Sequence, residues 1–555
     1  MRYHVGIAAI VLAVVLVGCV GGTAQDAGPL GDDSPEPTTD DYGFEEVALE
    51  AGFEYESINI GAVNGNDGVY AVDYTNDLRT DLLAIGGGEP VLFRNTGGAF
   101  ERSDDLPPVE GTIQGALFFD HDNDGWEDLL LLRRGETPVF FENDEGTFRE
   151  RDVGFDDEFV VPVSASAADA TGDGCPDVFV ADYGDWLDEH PRGWHYQLAF
   201  PAEEDNGQSN ALYTGDCGEF ERVDDAGIEG DHWSMATSFV DLTGNGHPDV
   251  HVANDYFADE IHYNRGGGTF DREYLGNETN RNGMSSSVAD VTGDGQLEIF
   301  VTNIYFPRDR WGELPDTQRQ LFADFMTARI GDRNQGNNLL VRTDDGFVDQ
   351  GEERGLAEGG WGWGAAVEDF DGDGQVDVFH ATQFQARFDE GEPTFVRPML
   401  FAQNDGQFHR LDASELGLQE VDERGVAALD FDSSGSMDVA VAGNVASYRL
   451  YSNEAEQGDS LQVVVAGADD LDHTVLGTTA KATVDGNSQL RVRNARADYQ
   501  SQETRTLHFG FGEADAVDEL RVTWPDGTEL TVEDVETGQR ILVTPDGIAD
   551  RHSYS

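Results

Sequence analysis

The stretch Asp369-Phe-Asp371-Gly-Asp373-Gly374-Gln-Val-Asp377, continued by Val378-Phe-His-Ala381, decides how the rest of the chain is read. Its acids stand at positions 1, 3, 5 and 9 of a tight loop with glycine at position 6. A looser form of it, Asp-x-[Asp/Thr]-x-[Asp/Asn/Ser]-x-x-x-[Asp/Glu], occurs seven times, with glycine at position 6 in every copy but the first, which has Leu78. The other copies carry Asp73, Thr75, Asp77 and Asp81; Asp120, Asp122, Asp124 and Asp128; Asp169, Thr171, Asp173 and Asp177; and Asp241, Thr243, Asn245 and Asp249. The last two carry Asp290, Thr292, Asp294 and Glu298, and Asp430, Asp432, Ser434 and Asp438. Successive copies start 47, 49, 72, 49, 79 and 61 residues apart, and the shortest spacings suit a four-stranded propeller blade.

Each loop runs into a short β-branched segment such as Asp177-Val-Phe-Val-Ala or Glu298-Ile-Phe-Val-Thr, which predicts a strand. An EF-hand would need flanking helices and a glutamate at loop position 12, where this chain has Ala84, Leu131, Val180, Val252, Val301, His380 or Val441. A second element follows: an apolar pair, a glycine turn and a phenylalanine, as in Leu92-Phe-Arg-Asn-Thr-Gly-Gly98-Ala-Phe100, the pattern of a hairpin. The seventh copy stops at Asn453 without its phenylalanine, while a spare one stands at the front in Phe44-Glu-Glu-Val-Ala-Leu-Glu-Ala-Gly52. The expected fold is all-β: a seven-bladed propeller over residues 43–455, its last blade completed by the N-terminal strand so that no edge stays open.

The loops with their strands resemble FG-GAP/VCBS repeats, the calcium-loop blades also found in integrin α-subunit propellers. Residues 458–546 hold further short strands, expected to form a small β-sandwich-like domain, with 547–555 as a tail. Within them Tyr499-Gln-Ser-Gln502, His508-Phe-Gly-Phe-Gly512 and Val522-Thr-Trp-Pro-Asp-Gly527 resemble the ASPIC/UnbV domain. Together the two parts resemble the cartilage acidic protein family of exported propellers. The run Gly477-Thr-Thr-Ala-Lys481 departs from the family's glycine-alanine-basic-valine pattern.

Charge narrows the function. Lys+Arg total 33 against 110 Asp+Glu, a net charge of −77, which excludes a nucleic-acid binder. Only one basic residue, Lys481, is a lysine. At roughly 1 M salt the Debye length is about 3 Å and such self-repulsion is screened, so the composition implies a host living in brine. Residues 5–17 are apolar, too few to span a bilayer, and Leu16-Val-Gly-Cys19 resembles a lipobox. The expectation is a lipoprotein signal over 1–19, lipidation of Cys19, a flexible tether over 20–42, and a lipid-anchored monomer at the outer face of the cytoplasmic membrane. Cys175 and Cys217 are then left to pair in an exported chain.

Four oxygen-bearing side chains, a backbone carbonyl and water complete six or seven hard ligands, which suits Ca²⁺, with Mg²⁺ as competitor. The alternative is a metal-free network of Asx turns. Because the loops' acids are committed to the ion, a structural role follows and the function is sought on the opposite face. Long insertions fall there, over 183–209, 304–335 and 383–397. His195, His232, Trp233, Arg281, Asn282, Trp361 and Trp363 are the candidate ligand-binding residues of a funnel for an extracellular glycan or protein, or else a packed lid. No catalytic motif stands in its required context. The leading expectation is a binding or adhesion scaffold; the alternative is a hydrolase or lyase acting on extracellular polymer, with His232, His195 and an acid converging.

Overall fold

In every copy the ninth loop position is the first residue of a strand: Asp81–Gly86, Asp128–Arg133, Asp177–Asp182, Asp249–Asp255, Glu298–Val301, Asp377–Gln383 and Asp438–Gly443. The computed structural model describes residues 37–58, 66–185, 207–305, 336–383, 385–389, 392–394, 397–454, 459–467 and 474–554, less 225, 229, 231, 277, 278, 345, 445 and 497. They belong to one compact unit and contain strands, turns and one three-residue 3-10 turn.

Each of these strands is the second in a run of four antiparallel strands, and two of the seven sheets gain a fifth strand from the C-terminal region. In the first copy the order is Asp67–Val72, Asp81–Gly86, Val91–Asn95, Phe100–Arg102. In the last copy Glu423–Leu429, Asp438–Gly443 and Arg449–Asn453 take their fourth strand from the front of the chain: Phe44–Glu46 pairs with Arg449–Asn453, Phe44 opposite Asn453. The second strands are buried along their length, as in Asp81–Gly86 and Asp438–Gly443, because both faces of each sheet are covered. That is why they read as continuous apolar runs instead of alternating ones.

Neighbouring sheets share their cores. One cluster joins copies three and four through Phe179 and Phe239; others join four to five, five to six, and six to seven. A further cluster places Phe53, Phe93 and Phe100 against Ala427, Leu429 and Tyr448, so copy seven packs on copy one. Gly52 belongs to this contact: at φ +79° its Cβ position lies 2.4 Å from the Phe100 carbonyl, so no side chain fits. Gly417 meets the Phe44 carbonyl in the same way at 2.3 Å. Cys175 and Cys217 are joined by a disulfide with Cα atoms 5.0 Å apart.

The C-terminal region is two four-stranded sheets. One contains Ser460–Val465, Leu507–Gly510, Gln539–Thr544 and Gly547–Ser553; the other contains Thr479–Val484, Asn487–Val492, Ala516–Thr523 and Glu529–Glu536. Leu461, Ala480, Phe509, Leu520 and Trp524 lie between them. The expected tail over 547–555 is therefore corrected: most of it is an edge strand. Thr479–Val484 was illegible because its inward residues, Ala480 and Ala482, are small and weakly apolar. The expected tether over 20–42 also ends early. Thr38 and Asp41 cap the 3-10 turn Thr39–Asp41, and Tyr42 is buried in the core of copies six and seven.

The two parts interlock. Ala495–Arg496 adds to the first strand of copy three, and Ser501–Gln502 adds in parallel to the first strand of copy one. Between them the chain turns tightly at Tyr499 and Gln500, the latter at φ +57°. The Gln502 side chain imitates a strand: its carbonyl accepts the Phe118 N–H at 2.8 Å and its amide donates to the Phe118 carbonyl at 2.9 Å.

Candidate metal loops and the docked turn

The loops share one internal architecture. Position 1 folds its carboxylate back onto the N–H groups of positions 5 and 6: Asp120 accepts from Asp124 and Gly125 at 3.1 and 2.9 Å, Asp169 from Asp173 and Gly174 at the same distances, and Asp430 from Ser434 and Gly435 at 3.0 and 3.1 Å. The position-9 acid reaches the other way. Its carboxylate accepts the N–H of Asn95, Asn143, Gly215, Asn264, Gln403 or Asn453 near the end of the third strand, at 2.6–3.0 Å.

Four of those residues are asparagines whose amides then cross to the neighbouring sheet. Asn143 donates to the Tyr74 carbonyl, Asn264 to Ala170, Asn453 to Phe370 and Asn95 to Phe431. Each acceptor is the second residue of the neighbouring loop, so one asparagine ties strand, loop and next sheet together. Sequence reasoning missed these residues. The signal was their recurrence 14 or 15 residues after the position-9 acid.

The acids gather as a cation site requires. Asp120, Asp122 and Asp124 offer oxygens within 4.8 Å of one another, as do Asp369, Asp371 and Asp373, and Asp430, Asp432 and Asp438. Among the described residues, the buried Glu298 Oε1 and Thr292 Oγ1 in loop five have no hydrogen-bond partner, and neither do Asp81 Oδ2 and Thr75 Oγ1 in loop one. Orphaned hard oxygens turned into a closed loop fit Ca²⁺ or Mg²⁺. Burial pushes Asp81, Asp120 and Glu298 up to about 8 and Asp177 up to about 7, so each holds its charge poorly without a cation. Two contacts were unforeseen: His121 Nδ1 sits 2.7 Å from Asp128 Oδ2, and the Tyr42 hydroxyl reaches Asp377 and Asp371 at 3.1 and 3.2 Å.

The loop face is covered by the C-terminal domain. Arg505 Nη2 lies 2.7 Å from Asp73 Oδ2, Arg540 Nη2 lies 3.2 Å from Asp430 Oδ2, and Arg493 pairs with Glu127. The Gly510 N–H donates to Asp369 Oδ2 at 3.1 Å, a contact only glycine allows, since a Cβ there would lie 2.2 Å from that oxygen. His508 Nε2 and Ser460 Oγ both meet the Gly435 carbonyl. The His508-Phe-Gly-Phe-Gly512 and Tyr499-Gln-Ser-Gln502 runs are thus the parts that dock.

The candidate ligand-binding residues do not form an open rim. Trp233, Asn282, His232 and Trp363 are buried, while Arg281 and Trp361 are partly exposed. Trp233 stands edge-on to Tyr183 at 4.9 Å. Trp363 packs between Tyr499 of the inserted turn, at 4.9 Å, and the Arg424 guanidinium, at 4.3 Å. The physical reason is that the inserted turn supplies an aromatic partner from far along the chain, so these rings make core instead of a funnel. His195, Cys19 and most of the three insertions lie outside the described residues. His232 does meet an acid: its Nε2 is 3.4 Å from Glu260 Oε1, and His262 Nε2 is 3.5 Å from Glu260 Oε2. Phe257 stacks on His232 at 3.9 Å, and all three polar residues are 1% exposed.

Comparison with known families agrees with both parts. Residues 73–131, 120–180 and 241–301 match the FG-GAP-like repeat, and residues 470–549 match the ASPIC and UnbV domain. The chain therefore joins FG-GAP-like repeats to an ASPIC/UnbV domain. No curated protein matches the chain significantly.

Proposed function

We propose that the sheets are the blades of a closed seven-bladed propeller. In this reading divalent ions, Ca²⁺ foremost, hold its loops, and the chain works outside the cell as a lipid-anchored binding or adhesion scaffold for a glycan or protein. Closure is supported by the pairing of Phe44–Glu46 with Arg449–Asn453 and by the Asn95 amide on the Phe431 carbonyl. The ion reading is supported by the orphaned loop oxygens. The excess of acid over base supports a salt-rich surrounding, and the lipobox at Cys19 supports the anchor.

The observation that carries the scaffold reading is the covering of the loop face by the chain's own C-terminal domain. That face is occupied, so a partner meets the opposite end, where the second strands finish and the long insertions depart. Loops on a rigid support are where recognition concentrates. A glycan array and a pulldown, both at constant high NaCl, test this. Trp194→Ala with Trp311→Ala, both in the insertions, abolishes partner capture, while Asp432→Asn on the loop face leaves it intact. The reverse pattern overturns the assignment. The His232–Glu260–His262 cluster favours a second reading, a hydrolase or lyase of extracellular polymer. Its burial beneath Phe257 argues against it. Polymer cleavage lost in Glu260→Gln would establish it.

A further inference from the structure

Loop seven differs from the loops that keep their oxygens free. In loop two, among the described residues, Asp120 Oδ2 has a single donor, the Gly125 N–H at 2.9 Å, and no guanidinium lies within 4.0 Å of the Asp120, Asp122, Asp124 or Asp128 carboxylates, Arg493 pairing instead with Glu127 at position 8. In loop seven Asp430 Oδ2 accepts from three donors: the Gly435 N–H at 3.1 Å, the Gln462 amide at 2.8 Å and Arg540 Nη2 at 3.2 Å. A carboxylate oxygen has two lone pairs, so this one has none left for an ion. At position 9 the two loops agree: Asp438 accepts the Phe431 and Asn453 N–H groups as Asp128 accepts those of His121 and Asn143. Position 5 of this loop is Ser434, where loops two and six carry aspartate.

The guanidinium is built in. Arg540 and Asp430 expose 5% and 1% of their side chains. Arg540 Nε donates to Gln462 Oε1 at 2.7 Å, and its Nη1 donates to the Leu78 carbonyl of loop one. The side chain is therefore clamped by the C-terminal domain and placed across two adjacent loops. A cation fixed beside Asp430 repels a second one at short range.

We propose that Arg540 is the resident cation of loop seven: the C-terminal domain supplies there the positive charge that a divalent ion supplies to loops such as two and five. The assignment rests on the reading that those other loops take a divalent ion. It gives the ASPIC/UnbV domain a defined chemical task in this chain, neutralising loop seven from outside, just as its Arg505 meets Asp73 of loop one at 2.7 Å. It also makes the ion count of the protein smaller than its count of loop motifs.

Equilibrium dialysis of the full chain against radiolabelled Ca²⁺ at constant high NaCl separates the two ideas. Asp122→Asn with Asp294→Asn, in loops two and five, lowers the number of bound ions by about two. Asp432→Asn, in loop seven, leaves the number unchanged. If Asp432→Asn does not fold, Asp430→Asn carries the same expectation. Loss of an ion on the loop-seven substitution overturns the arginine assignment while leaving the divalent-ion reading intact. A wild-type chain that binds no Ca²⁺, or no loss with Asp122→Asn and Asp294→Asn, overturns that reading and the partition with it.

Discussion

Loops two and seven are written in nearly the same letters, Asp120-His-Asp-Asn-Asp-Gly125 and Asp430-Phe-Asp-Ser-Ser-Gly435, and their backbones follow the same path. In both, position 1 gathers the N–H groups of positions 5 and 6, and position 9 gathers the asparagine at the end of the third strand. They part only in what answers their charge. Among the described residues, no guanidinium reaches the carboxylates at positions 1, 3, 5 and 9 of loop two, where Arg493 pairs with Glu127 at position 8, while in loop seven Arg540 meets Asp430 at position 1. The motif dictates the turn; the counter-charge is decided by residues more than a hundred positions away.

The largest effect expected from this difference is on chelation. Stripping divalent ions at constant high NaCl removes about 2.7 kcal/mol for each loop filled at 100-fold excess over its Kd. The melting temperature then falls on the order of 10 °C, several loops contributing together. A melt that does not move would place loop two beside loop seven and dissolve the contrast. The stripped chain also gains a pH dependence. Burial raises Asp120 and Glu298 from ordinary carboxyl values to about 8, so the folded metal-free state holds protons that the unfolded chain releases. Its stability is greatest near pH 4 and declines as pH rises toward 8, and saturating Ca²⁺ abolishes that decline. Thermal melts across this range, with and without Ca²⁺, check the sign.

Arg540→Met strands Asp430 in a buried site and costs about 3–5 kcal/mol. The loss is the same in stripped and loaded protein, because no ion stands in for the guanidinium. Equal denaturant midpoint shifts under both conditions sharpen the comparison, and a loss seen only in stripped protein breaks it. Gly425→Ala acts on the inserted turn. Its Cβ would lie 2.0 Å from the Gln500 carbonyl oxygen, so the turn must shift, at about 1–3 kcal/mol, and tryptophan fluorescence reports Tyr499 leaving Trp363. The smallest effect belongs to Arg265→Ala. Its pair with Asp271 is 60% and 68% exposed, and in brine the loss is below about 0.5 kcal/mol. A larger loss there would mean that surface and buried guanidinium pairs are not distinguished by burial.

Strands, loops and the exchange of Phe44–Glu46 into the last sheet were legible because each has a local signature: a spacing, a β-branched run, or a phenylalanine missing at one end and spare at the other. The inserted turn at Tyr499 and Gln500 was not. Tyr499 meets Trp363, and Gln502 meets Phe118, across more than a hundred residues without any shared periodicity, and aromatic residues beside arginine and asparagine read equally well as an open rim. Tyr42 was illegible for a related reason. A single aromatic ring at the end of a glycine- and aspartate-rich run gives no repeating pattern, yet it is the group that donates to Asp377.

The pairing of Phe44 with Asn453 sets the earliest point at which the last of the seven loop-bearing sheets can be completed. The two residues are 453 − 44 = 409 positions apart, and bringing such ends together costs about 5 kcal/mol of loop-closure entropy if nothing between them has formed. The intervening sheets each consist of local hairpins and can assemble first, shortening the effective loop step by step. Phe44–Glu46 is synthesised long before Arg449–Asn453, the strand with which it pairs. Until then it is an unpaired strand edge, and a chain arrested before Asn453 leaves both edges of the array open to one another's copies.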